Sequence, residues 1–110
     1  MTDTITYILA FDTETGGIGD DKTLLQAYFA LVAIKNDDFK IVDELNLAIK
    51  PDNDLYCVTA ESLEITQIDL KKHNRNAMYQ RKAGTLLYDK LSNWYKIACS
   101  NKLIPLGHNI

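Results

Sequence analysis

Apolar residues fall into runs along the chain, and their spacing changes from strand-like to helix-like and back. Residues 5–12 form a short run, with Tyr7, Ile8, Leu9, Ala10 and Phe11 leading into Asp12, which predicts a first strand. After a glycine-rich loop, LLQAYFALVAIK at Leu24–Lys35 is almost continuously apolar. Its length and lack of alternation predict a strand buried on both faces, although a buried helix fits the same pattern. Asn36-Asp37-Asp38 is a turn signal. Residues 39–50 then alternate, with Phe39, Ile41, Leu45, Leu47 and Ile49 on one face and Lys40, Glu44, Asn46 and Lys50 on the other. Two strands joined by so short a polar turn predict an antiparallel hairpin.

Pro51-Asp52-Asn53-Asp54 closes that hairpin, and Thr59 is a natural N-cap for a short helix over Ala60–Thr66, with Glu61 near its positive end. A polar, basic stretch over residues 71–82 separates it from a long helix reaching about residue 100. In that helix Leu87, Leu91, Trp94, Tyr95 and Ala98 recur at spacings of three and four. Residues 102–106 form a last short strand. The first three strands are then antiparallel neighbours, and the fourth returns through a helical crossover to lie parallel to the first. The ends of the first and fourth strands meet at one edge, where sheets of this kind bind ligands.

Composition adds limits. The 110 residues suffice for one domain, and 46% hydrophobic with 25% charged residues is ordinary globular composition. No apolar run reaches the ~18 residues of a membrane span. The start, Met1-Thr2-Asp3-Thr4, is acidic, unlike a signal peptide, so a cytoplasmic location is expected. Cys57 and Cys99 form no C-x-x-C pair and read as packed, reduced thiols. Charge is uneven: residues 1–54 carry four lysines against eleven acids, and residues 55–110 carry eight Lys and Arg against four acids. The basic half suits a phosphate-bearing partner. Within it, Lys71, Lys72, Arg75, Arg81 and Lys82 read as a solvated loop or as a grip on a nucleic-acid backbone, and His73 reads as a solvated surface residue.

Asp12 and Glu14 carry the candidate chemistry. Two residues apart on a strand, they project to one face with Cβ atoms about 7 Å apart. Acids so placed repel unless a cation lies between them, and hard divalent ions such as Mg²⁺ or Mn²⁺ prefer carboxylate oxygens. Gly16, Gly17 and Gly19 let the following backbone turn sharply and approach a ligand.

The full string Phe11-Asp12-Thr13-Glu14-Thr15-Gly16-Gly17 resembles the first motif of the DEDD (DnaQ-like) 3′–5′ exonucleases. Leu103-Ile104-Pro105-Leu106-Gly107-His108-Asn109 is similar to the start of that family's second motif, a strand running into His-Asn. The order and separation of the two fit, and the resemblance covers nearly the whole chain. It implies an α/β, ribonuclease H-like mixed sheet, of which residues 1–110 are the N-terminal part and which is C-terminally incomplete.

The activity implied is removal of nucleotides from the 3′ ends of single-stranded DNA or RNA by a two-metal site using Mg²⁺ or Mn²⁺. By the same resemblance Asp12 would bridge both ions and Glu14 would hold one. Thr15 and Gly16 would lie near the terminal sugar, or act only as turn residues, with Gly17 supporting the motif. His108 is implied to shape the turn after the last strand, and Asn109 to cap the next helix beside the substrate. Gln26 stands where related sequences often carry Glu.

The family's second Asp and its third motif would lie beyond Ile110, so half of the four-carboxylate site is absent and little or no turnover is expected. The chain is then a fragment of a longer enzyme or a naturally shortened relative. The rival expectation is a non-catalytic module with the same fold that binds nucleic acid or a polymerase. The last strand leaves an open sheet edge, which predicts a homodimer; no membrane partner is expected.

Overall fold

A computed structural model of the chain describes residues 4–19, 21–98 and 103–108. It is a mixed α/β structure of five strands and three helices. The elements run β1 (Thr6–Thr15), β2 (Leu24–Lys35), β3 (Asp38–Lys50), α1 (Ala60–Thr66), α2 (Leu70–Asn76), β4 (Met78–Tyr79), α3 (Gln80–Ala98) and β5 (Leu103–His108). The sheet order is β4-β3-β2-β1-β5. β1 to β3 are antiparallel neighbours, and β5 returns after the helices to pair parallel with β1, the crossover expected from the sequence. β4, a two-residue strand parallel to the end of β3, was not anticipated.

Asn36 and Asp37 join β2 to β3 with positive φ at both positions, 51° and 68°. A two-residue loop of that kind matches the right-handed twist of the strands, and Asn and Asp tolerate it best after glycine. β1 runs through Thr15 rather than stopping at Asp12, because β2 continues to pair with it down to Leu24.

α3 packs on one face of the sheet. Ala27, Leu47, Ile49 and Ala83 form the buried cluster, with Phe29, Leu45, Met78 and Leu87 packed around it. Trp94 and Ala98 on the same helix are fully buried. Pairing between β2 and β3 skips Val42, matching Leu31 with Asp43 but Val32 with Ile41. Such a bulge reverses the faces of the residues beyond it. Phe39 and Ile41 therefore lie opposite Leu45, Leu47 and Ile49, not beside them as simple alternation implied, and they are 74% and 50% exposed. The bulge turns Asp43 toward α3, where its Oδ2 accepts hydrogen bonds from Trp94 Nε1 at 2.9 Å and Lys90 Nζ at 3.0 Å.

Two further expectations need correction. The basic stretch is not a loop: Asp69 caps α2, its carboxylate accepting from the Lys71 and Lys72 amides at 3.1 and 3.3 Å. His73 on that helix is not solvated. It is buried, with Nε2 2.7 Å from the Ile49 carbonyl and its ring edge-on to Tyr56. α1 starts as expected, with Thr59 Oγ1 accepting from the Ser62 amide at 3.1 Å. Among the described residues no helix is long and apolar enough to cross a membrane.

Candidate active site

Asp12 and Glu14 lie within the last four residues of β1, so regular strand pairing fixes their backbone on both sides. Their cross-strand partners on β2 are Tyr28 and Gln26. The alternation that turns Phe11 and Phe29 toward α3, where their rings stack at 6.3 Å, turns Asp12 and Glu14 to the opposite face. Both carboxylates are half-buried. On the other side of β1, Asp12 is matched with His108 across the parallel pairing with β5. His108 is thus the last residue of a strand rather than part of a turn. Asn109 and Cys99 lie outside the described residues.

The turn after Glu14 is tightly braced. The Gly16 amide donates to the Thr23 carbonyl at 2.8 Å, and its carbonyl accepts from the Thr59 amide at 2.7 Å. Ser62 Oγ donates to the Thr15 carbonyl at 2.9 Å, and Thr15 Oγ1 donates to the Gly17 carbonyl at 2.8 Å. A Cβ on Gly16 would lie 2.5 Å from Val58 Cγ1 and 2.6 Å from the Cys57 carbonyl, so only glycine fits. The entry to α1 and the strand that carries the acids are therefore one mechanical unit. Gly16 spends its own N–H and C=O inside it. The half-buried Cys57 belongs to the same brace, its amide donating to Thr23 Oγ1 at 2.7 Å.

Two residues not singled out from the sequence join the same face. Tyr28, beside Asp12, donates its hydroxyl to Glu44 Oε2 at 2.5 Å. That hydrogen bond, with slight burial and the charge of Glu44, holds the phenol above its usual range, so it stays protonated. Gln26, beside Glu14, opens into a trough of about 480 Å³ that Ala48, Ile68, Lys72 and Asn76 also line. The hairpin register would have revealed Tyr28 and Glu44, but the bulge at Val42 hides it from simple counting.

The donor set fits a hard cation in part. Asp12 and Glu14 offer carboxylate oxygens from one face, flanked by an amide and a phenol. Among the described residues no third His, Cys, Asp or Glu groups with them. Neither a protein-family model nor a curated protein sequence matches the chain.

Proposed function

We propose that this chain carries the metal-binding strand of a 3′–5′ exonuclease of the DEDD class on a ribonuclease H-like sheet, acting on single-stranded DNA or RNA ends. The observation that carries this reading is the parallel β1–β5 pairing, which matches Asp12 with His108 and so brings the two motif-like segments to one sheet edge. In this reading Asp12 and Glu14 hold Mg²⁺ or Mn²⁺, ions that activate water and offset the charge on a departing 3′ oxygen. Thr15 and Gly16 set the turn against the terminal sugar, with Gly17 supporting it, and Asn109 orients the chain beyond β5. Tyr28, kept protonated by Glu44, offers a neutral hydroxyl beside the acids. Turnover by residues 1–110 alone is low, since two of the family's four carboxylates are not in them.

Mn²⁺ titration followed by electron paramagnetic resonance tests this reading. Weak binding that Asp12→Ala and Glu14→Ala each reduce tenfold or more supports it; binding indifferent to both overturns it. Strong Mg²⁺-dependent nuclease activity lost in Asp12→Ala would overturn the low-turnover part alone. The second reading, a non-catalytic module binding nucleic acid or a polymerase, draws on the unpaired cations of α2, and it requires strand binding that survives both EDTA and Asp12→Ala.

A further inference from the structure

On the far side of α2 from the Lys72 trough, Tyr56, Leu70, Lys71, Asn74 and Arg75 line an open cavity of about 540 Å³. The Tyr56 ring is fixed at two points: its hydroxyl donates to Asn74 Oδ1 at 2.7 Å, and it meets the buried His73 ring edge-on at 6.4 Å between centroids. A ring held that way is a ready stacking platform, with Leu70 as an apolar wall. Lys71 and Arg75 are one turn apart on one helix face. Neither has a carboxylate within ion-pair distance among the described residues. Two uncompensated cations around a rigid aromatic match a base with its adjacent phosphates better than a purely apolar ligand or a lone anion.

The cavity is also joined to the turn behind the acids. Tyr56 is two residues from Val58, which packs against Gly16, so at most about 7 Å of chain separates them. We infer that this cavity is a secondary station for a single-stranded nucleic acid, with one base on Tyr56 and its flanking phosphates on Lys71 and Arg75. The inference rests on the nucleic-acid reading above and adds to it where the strand runs away from the cleaved end.

Fluorescence anisotropy of a labelled oligothymidylate, in EDTA so that nothing is cleaved, tests the station on the full chain. The double variant Lys71→Gln/Arg75→Gln changes only exposed side chains, and circular dichroism checks that it folds. It should weaken binding about tenfold or more, and the salt slope should fall by about two, one for each lost phosphate contact. Lys72→Gln/Lys82→Gln, with the same loss of charge on side chains outside the cavity, should stay within about threefold of wild type. Tyr56→Phe should bind as wild type.

Equal weakening by both double variants, competition by polyglutamate as effective as by the oligonucleotide, or no oligonucleotide binding by the wild type would each overturn the inference. The exonuclease reading fails separately, by Mn²⁺ binding that ignores Asp12 and Glu14.

Discussion

Asp12 and His108 are the last matched pair of the parallel β1–β5 ladder, and Asp12 is matched on its other side with Tyr28. One row of the sheet thus joins the N-terminal acid, a strand-buried tyrosine and the end of the chain's final strand. The acids gain a rigid setting, and the cost is electrostatic: Asp12 and Glu14 share a face with Glu44 one row further on.

That cost makes a stability prediction. Glu14→Gln removes one of two like charges held on one strand face, so without metal the variant should be more stable than wild type by about 0.5 kcal/mol. Urea melts in EDTA measure the difference. Added Mn²⁺ should raise the wild-type midpoint and leave that of Glu14→Gln nearly unmoved, because only a ligand that binds the native state stabilises it. A variant less stable than wild type in EDTA would mean that Glu14 is a structural partner instead.

Much of this architecture was legible in the sequence. The continuous apolar run gave β2 at its observed limits, and the Thr59 cap gave α1. The parallel return of the last strand followed from chirality alone. What escaped were features that depend on partners distant in sequence. The bulge at Val42 answers to Asp43 reaching Trp94 and Lys90, which lie on a helix some fifty positions later. His73 looked solvated because its neighbours Lys71, Lys72 and Arg75 are, yet it alone of that helix turns inward to the Ile49 carbonyl. Tyr28 joined the candidate site only once the register was known.

Gly16 should tolerate no side chain. In Gly16→Ala the new methyl would overlap Val58 and the Cys57 carbonyl, and relief requires moving the whole entry to α1. Overpacking of this kind costs about 1–3 kcal/mol. Denaturant melts should show a loss in that range, and Mn²⁺ affinity should fall with it because the same brace holds the end of β1. A stability loss without any change in affinity would separate the turn from the acids.

Asp43 should govern part of the acid response. Hydrogen bonds from Trp94 and Lys90, and then from the Glu44 amide, hold its carboxyl below the ordinary 3.8. The native state therefore prefers the charged form. Its stabilising contribution is fully present above the unfolded-state value and is lost as pH falls through the lower folded-state value. Asp43→Asn should be less stable than wild type at neutral pH, and the gap should close as the solution is acidified below about pH 4. Urea midpoints across that range measure it; a gap that stays constant would show that Asp43 acts through shape alone.

Self-association is the last expectation, and the structure gives it a specific surface. Ile104, Ile8, Val32 and Ile41 form one continuous row across β5, β1, β2 and β3, on the face opposite α3. Leu106 and Phe39 flank that row and are 62% and 74% exposed. The far side of β5 adds an open edge. Large apolar side chains gathered in one patch favour burial against another surface. Light scattering should therefore give a mass that rises with concentration toward that of a dimer. Ile41→Lys and Ile104→Lys place charges in the middle of the row without touching the α3 core, so both should restore the monomer while leaving the urea midpoint within about 1 kcal/mol of wild type. If both variants still dimerise, pairing runs through the β5 edge, and a proline at Leu106 should then abolish it; a wild-type chain that stays monomeric at every concentration would remove the expectation altogether.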